Sequence, residues 1–188
     1  MPAFVTFDYT NLFDSTGDLG ARELEELRPR LEEVARDLLE NPPGFMRLPK
    51  TSEFLDSSKA LAEDVRTSDA TDFVHVGIGG SALGPIALYR ALVHPYYNLF
   101  PERPGPRLHF AENTDPTSLS AVLDVIDPSS TWVNVVTKSG STAETMANFL
   151  IVRSILMEAL GESDYRERVV FTTDPEKGYL RQIADREA

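Results

Sequence analysis

The stretch "FVHVGIGGSALGP", Phe73 to Pro85, decides the fold. Phe73 to Ile78 is a short apolar run rich in residues that favour strands, and a segment with helical character follows from Pro85 to Val93. Between them stands "GIGGSALGP", in which four glycines and a serine make a loop from Gly77 to Pro85. Glycine lets backbone N–H groups approach a ligand closely, and Pro85 suits a first helical turn, where its missing N–H is no loss.

Outward from this stretch the same texture repeats. "RLHFA" (Arg107 to Ala111), "TWVNVVT" (Thr131 to Thr137) and "RVVFT" (Arg168 to Thr172) read as strands, and helices are expected over Pro116 to Ile126, Thr142 to Leu160 and Gly178 to Glu187. Strands with apolar residues at consecutive positions, separated by helices, predict an α/β fold over residues 71–188. The architecture expected is a three-layer, doubly wound parallel sheet of Rossmann-like form with right-handed crossovers. Ligands then belong at the carboxyl ends of the strands, where the unusual loops sit.

Residues 1–70 read as a helical arm with no catalytic signature. Leu24, Leu27, Leu31, Val34 and Leu38 recur at spacings of three and four, the period of one helical face, and Pro29 is expected to kink or divide that helix. "NPPGFMRLP" then breaks the chain before a second amphipathic segment from Ser52 to Val65.

Composition narrows the function classes. The 188 residues carry 30 acidic and 18 basic side chains, a net charge of −12, with no cysteine. Disulfides, thiolate metal sites and cysteine nucleophiles are thereby excluded. So acidic a chain is a poor ligand for nucleic acid, whose nonspecific affinity comes from basic patches. The start "MPAFVTFDYTNLFD" lacks a basic region followed by a long apolar stretch, and no run approaches the roughly 18 apolar residues of a membrane helix. The expectation is a cytoplasmic protein without membrane contact.

Two loops carry the chemistry. "GIGGSALGP" suits an anion or a sugar hydroxyl; it also fits the dinucleotide fingerprint at Gly77, Gly79 and Ala82, with Glu112 placed for a ribose, or simply a tight turn between packed elements. The second, "TKSGSTAETM" (Thr137 to Met146), offers hydroxyls at Thr137, Ser139, Ser141 and Thr142 before a helix, with Ser141 and Glu144 spaced as a capping box. A helix amino terminus presents unpaired N–H donors and the positive end of its dipole, an arrangement that binds phosphate. Lys138 adds a full charge, so an acidic chain has a local means of holding an anion. As a solvated loop lysine beside capping hydroxyls, Lys138 would instead have no ligand. No G-x-x-x-x-G-K-[ST] sequence occurs, and His75, His94 and His109 are not spaced as metal ligands, so no metal is expected; His75 and His109 fall within strands as packing residues.

With "GIGGSALGP", "AENTDP", "TKSGSTAETM" and "FTTDPEKG" in this order, the chain from about Asp72 onward resembles the amino-terminal part of the glucose-6-phosphate isomerase (phosphoglucose isomerase) family, within the sugar isomerase (SIS) domain group. The resemblance implies a cofactor-free aldose-ketose isomerase of glycolysis and gluconeogenesis, homodimeric, acting on a sugar phosphate. It implies a phosphate-binding loop of Thr137, Lys138, Ser139 and Thr142, with Gly80 and Ser81 beside the substrate. Thr137 stands where the family commonly has serine, which keeps the hydroxyl. The family's enzymes are more than twice as long, and their arginine, proton-moving glutamate, ring-opening histidine and late lysine lie downstream. No catalytic residue is therefore assigned to this chain, which is expected to be an inactive fragment holding the phosphate half of the site. The alternatives are a noncatalytic sugar-phosphate sensor and a Rossmann nucleotide-binding domain.

Overall fold

A computed structural model describes Asp8, Asn11 and residues 20–187. The amino-terminal stretch read above as leaderless, and the opening of the expected arm, otherwise lie outside the described residues. The chain divides into two units, Met1–Ser57 and Ser58–Ala188.

In the first unit, α1 (Ala21–Glu40) is followed by the short helix α2 (Gly44–Arg47). The apolar period of three and four is realised, with Leu27, Leu31, Val34 and Leu38 on an exposed stripe. Pro29 does not divide the helix as expected, since α1 runs unbroken through it. A proline removes one backbone donor, and on a solvent-exposed helix the carbonyl left over is hydrated. Helix α3 (Glu53–Thr67) crosses the unit boundary and realises the second amphipathic segment.

The second unit holds four strands, β1 (Asp72–Val76), β2 (Arg107–Ala111), β3 (Thr131–Thr137) and β4 (Val169–Thr173), in the order β2-β1-β3-β4. All neighbours pair parallel, with Phe73 opposite Leu108 and Trp132, and Val133 opposite Val169. The connecting helices are α4 (Gly80–Leu92), α5 (Pro116–Leu123) and α6 (Ala143–Glu167), and α7 (Tyr179–Glu187) follows β4. Helix α6 extends beyond the expected end at Leu160, after an interruption at Gly161, whose φ is 79°. A parallel sheet flanked by helices is thus the fold, as the alternating texture predicted.

Alternation along β3 explains the two faces. Thr131, Val133, Val135 and Thr137 are buried, while Trp132, Asn134 and Val136 are only partly so. The buried face carries the core, in which Val74, Val76, Val133 and Val135 meet Leu119 of α5, Phe149, Val152 and Leu156 of α6, and Leu180 of α7. On the other face, Leu61 and Val65 of α3 and Leu88 and Tyr89 of α4 lie over Phe73 and Leu108.

At the amino edge of the sheet Asp72 is fully buried and accepts hydrogen bonds from Arg107 (2.7 Å), His109 (2.8 Å) and Thr71 (2.8 Å). Burial pushes this carboxyl up, but those hydrogen bonds outweigh it and hold the group below the ordinary carboxylate range. His109 therefore belongs to a structural clasp at the edge of the sheet remote from the loops. Among the described residues no helix is long and apolar enough to cross a membrane.

Candidate functional site

Strand order places the two loops side by side. From β1 the chain moves outward to β2, then returns across β1 to β3 and on to β4, so the winding direction reverses between β1 and β3. At such a reversal the helices leave on opposite faces and a crevice opens at the carboxyl ends of the strands. The loops following β1 and β3 flank this crevice.

The first loop is shorter than expected. Helix α4 begins at Gly80, so only Gly77 to Gly79 connects strand and helix, and Pro85 lies inside the helix rather than in its first turn. Gly79 is the N-cap, with φ 57° and no side-chain cap. That positive φ turns the chain sharply enough for the helix to start directly above β1. Gly80 and Ser81 thus belong to the first turn of α4, where the N–H groups of Ser81 and Ala82 already donate to the Ile78 (3.2 Å) and Gly79 (3.0 Å) carbonyls and that of Gly80 is left for another acceptor. Beneath them, His75 Nε2 donates to the Ser81 carbonyl at 2.8 Å. Burial pushes the His75 imidazole below its usual pKa, partly offset by that carbonyl, and the ring is neutral at pH 7. The histidine read as a packing residue is also a fixed support under the loop.

The second loop departs from the expected capping box. Helix α6 starts at Ala143 with Thr142 as N-cap, and no side chain caps its amides. Ser141 instead directs its hydroxyl to the Ser139 carbonyl (3.4 Å), while its N–H donates to Ser139 Oγ (3.2 Å). The turn through Gly140, at φ 65°, places Ser141 outside the helix, so the reciprocal bond with Glu144 does not form. The amino terminus of α6 consequently keeps its donors for another acceptor.

A cleft of about 730 Å³ opens here, lined by Gly80, Ser81, Lys138, His75, Asn134 and Asp174 among others. Lys138 is exposed and forms no ion pair among the described residues. The Asp174 carboxylate, partly buried at the rim, accepts the N–H groups of Glu176 and Lys177, both at 2.9 Å, which hold it below the ordinary carboxylate range. On the floor, Thr172 donates to Asn134 Oδ1 at 3.0 Å. The other three residues of the expected phosphate loop stand behind Lys138 and bond to one another. Buried Thr137 lies 3.0 Å from the Thr142 hydroxyl, and Ser139 Oγ lies 3.5 Å from it. The structure thus brings Gly80, Ser81 and Lys138 to the cleft wall and makes Thr137, Ser139 and Thr142 a hydroxyl cluster at the base of α6. Glu112, exposed just beyond β2, does not line this cleft.

Sequence reasoning did not place His75, Asn134, Thr172 or Asp174 at the cleft. The available signal was polarity: Asn134 and Thr172 point to a sheet face that otherwise carries Phe73, Leu108 and Val170.

With this geometry in view, the relatives are decisive. The phosphoglucose isomerase family profile matches residues 41–181. The chain belongs to that family. A glucose-6-phosphate isomerase of Rubrobacter xylanophilus is 67% identical over 98% of this chain and 43% of its own length. A Thermus thermophilus enzyme of the same name is 41% identical over 85% of this chain and 37% of its own. Among solved structures, a hypothetical protein from Thermus thermophilus superposes with a TM-score of 0.72 at 39% identity, covering 88% of this chain and 39% of that one. A glucose-6-phosphate isomerase from Chlamydia trachomatis gives 0.53 at 33% identity, over 65% and 22%. The chain therefore spans less than half the length of these phosphoglucose isomerase relatives.

Proposed function

We propose that the cleft holds the phosphate of a hexose 6-phosphate, and that the activity served is the interconversion of glucose 6-phosphate and fructose 6-phosphate. The observation that carries this reading is the position of Lys138, an ammonium with no ion pair among the described residues, beside a helix terminus without a side-chain cap at the point where the sheet reverses its winding. A dianion placed there receives one charge-assisted hydrogen bond from Lys138 and neutral ones from the Gly80 N–H and the leading N–H groups of α6, with the hydroxyl cluster of Thr137, Ser139 and Thr142 shaping the turn behind. This needs no basic surface, and so agrees with a net charge of −12.

Aldose–ketose exchange passes through an enediol and needs a carboxylate base near the reacting carbons with a charge stabiliser beside it. Asp174 is the carboxylate described on the cleft wall, and the two N–H groups that lower its pKa make it a weak base at neutral pH. The part assigned to residues 71–188 is accordingly to bind and orient the substrate through Gly80, Ser81, Thr137, Lys138, Ser139 and Thr142. The proposed boundary falls at residue 70, with residues 1–70 assigned to a preceding helical arm, of which the helices described are α1, α2 and α3. In the intact cytoplasmic homodimer, the acid-base groups come from the rest of the polypeptide.

Thermal protection tests this. Glucose 6-phosphate or fructose 6-phosphate at a hundred times its Kd stabilises the chain by about 2.7 kcal/mol, whereas NAD leaves the unfolding temperature unchanged. Lys138→Ala weakens phosphosugar binding by about 1 to 3 kcal/mol with little effect on unfolding of the free chain. Equal affinities for the two proteins, or protection by NAD in place of phosphosugar, would remove the reading.

A further inference from the structure

The loop that carries Lys138 does not hold its shape alone. The segment from the last residue of β4 to the first turn of α7, read in the sequence only as part of a family motif, lies against it at three points. Thr173 Oγ1 donates to the Thr137 carbonyl at 2.8 Å, joining the ends of β4 and β3 where the two threonines are register partners. The Leu180 N–H donates to the Gly140 carbonyl at 2.9 Å. Between these bonds the backbones meet glycine to glycine. A Cβ on Gly178 would stand 2.4 Å from the Ser139 carbonyl oxygen and 2.7 Å from Gly140 Cα, and one on Gly140 would stand 3.0 Å from both Thr173 Oγ1 and the Lys177 carbonyl oxygen. Asp174 folds the intervening turn by accepting the N–H groups of Glu176 and Lys177.

We propose that Thr173 and Gly178 are positioning residues, which brace the turn Lys138–Ser141 in the conformation that presents Lys138 and the α6 amides to one anion. The carbonyl that accepts from Thr173 also accepts from the Gly140 N–H at 3.2 Å. One side-chain hydroxyl thereby bears directly on the hydrogen bond that closes the turn. Neither residue needs to touch the ligand; each acts by limiting where the turn can go, so that the ordering is not left to the binding step. The ligand part of this proposal rests on the phosphate reading above, whereas the brace itself does not.

Two readouts separate them. Hydrogen exchange of the Gly140 amide in the ligand-free chain reports the brace, and calorimetric affinity for fructose 6-phosphate reports its use. Thr173→Val should accelerate Gly140 exchange and lower affinity, each by roughly tenfold, the scale of one hydrogen bond. Thr173→Ser, which keeps the hydroxyl, should restore both, and unfolding temperatures should stay within a few degrees across the set. Unchanged Gly140 exchange in Thr173→Val overturns the brace, as does a serine variant no better than valine. Faster exchange with unaltered affinity overturns the positioning role. If the wild-type chain binds no phosphosugar while exchange still responds, the phosphate reading and the ligand part fall and the brace stands.

Discussion

The loops after β1 and after β3 reach the same crevice by opposite means. The first is open at its cleft end, where a Cβ built on Gly79 or Gly80 meets no heavy atom within 4 Å, and packed at its strand end, where one on Gly77 would stand 3.0 Å from the Ser81 carbonyl oxygen that His75 holds from beneath. The second is closed, with Gly140 pressed against Gly178 and tied by Thr173 and Leu180. Glycine therefore serves different needs in the two loops. In the first, Gly79 and Gly80 leave room at the cleft and supply one unusual dihedral, while Gly77 allows a close approach within the loop's own turn; in the second, glycine permits backbones from two distant segments to touch. The loop bearing the cation is the one tied to a distant segment, and each such tie lowers the entropy that ordering the turn would otherwise cost on binding.

Substitutions test that contrast. Gly178→Ala should be the most damaging, because the new methyl overlaps backbone atoms that cannot rotate away and φ at Gly178 is already 98°. A loss of at least about 3 kcal/mol in urea unfolding is expected, and a loss under about 1 kcal/mol would show that the contact is loose. His75→Phe leaves the Ser81 carbonyl without its donor and should cost about 1 to 3 kcal/mol. The same histidine gives a pH signature. Its folded pKa lies below the ordinary 6.5, so the stability it contributes is full above pH 6.5 and is lost as pH falls below it, while the unfolded chain takes up a proton the folded chain resists. His75→Gln keeps a donor and removes the titration; comparing urea midpoints at about pH 7.5 and 5.5 should show a smaller fall for glutamine than for wild type.

Gly79→Ala meets open space but must adopt φ 57° with ψ −123°, outside the left-handed helical region that other residues visit, and strain of about 1 to 3 kcal/mol is expected in the same measurement. A neutral result would remove the dihedral argument for the first loop. Gly80→Ala should have the smallest effect on folding and the opposite sign, a gain of up to about 1 kcal/mol from the reduced freedom of the unfolded chain. It nevertheless adds a methyl at the cleft wall, so weaker phosphosugar binding by a more stable protein would distinguish site crowding from misfolding.

Much of this was legible in the chain. The four strands fall within one residue or two of where Val, Phe and Thr cluster, because strand propensity and burial on both faces act over a few neighbours. Helix starts were less legible. Pro85 looked like a first-turn residue and lies in the interior, because Gly79 turns the chain early. Ser141 and Glu144 had capping-box spacing, but Gly140 is drawn towards the connection after β4, so the cap passed to Thr142 without a side-chain bond. Local rules assign such a cap correctly only when nothing distant competes for the turn.

By itself, the sequence determined the alternation of strands and helices, the parallel sheet and the presence of two glycine- and hydroxyl-rich loops after β1 and β3. Each of these follows from periodicity and turn chemistry among close neighbours. Only the tertiary structure decided that the winding reverses between β1 and β3, that His75 supports one loop, and that Thr173, 36 residues from Thr137, braces the other. Contacts of that span depend on how crossovers carry the chain over the sheet, and no local pattern of side chains specifies them.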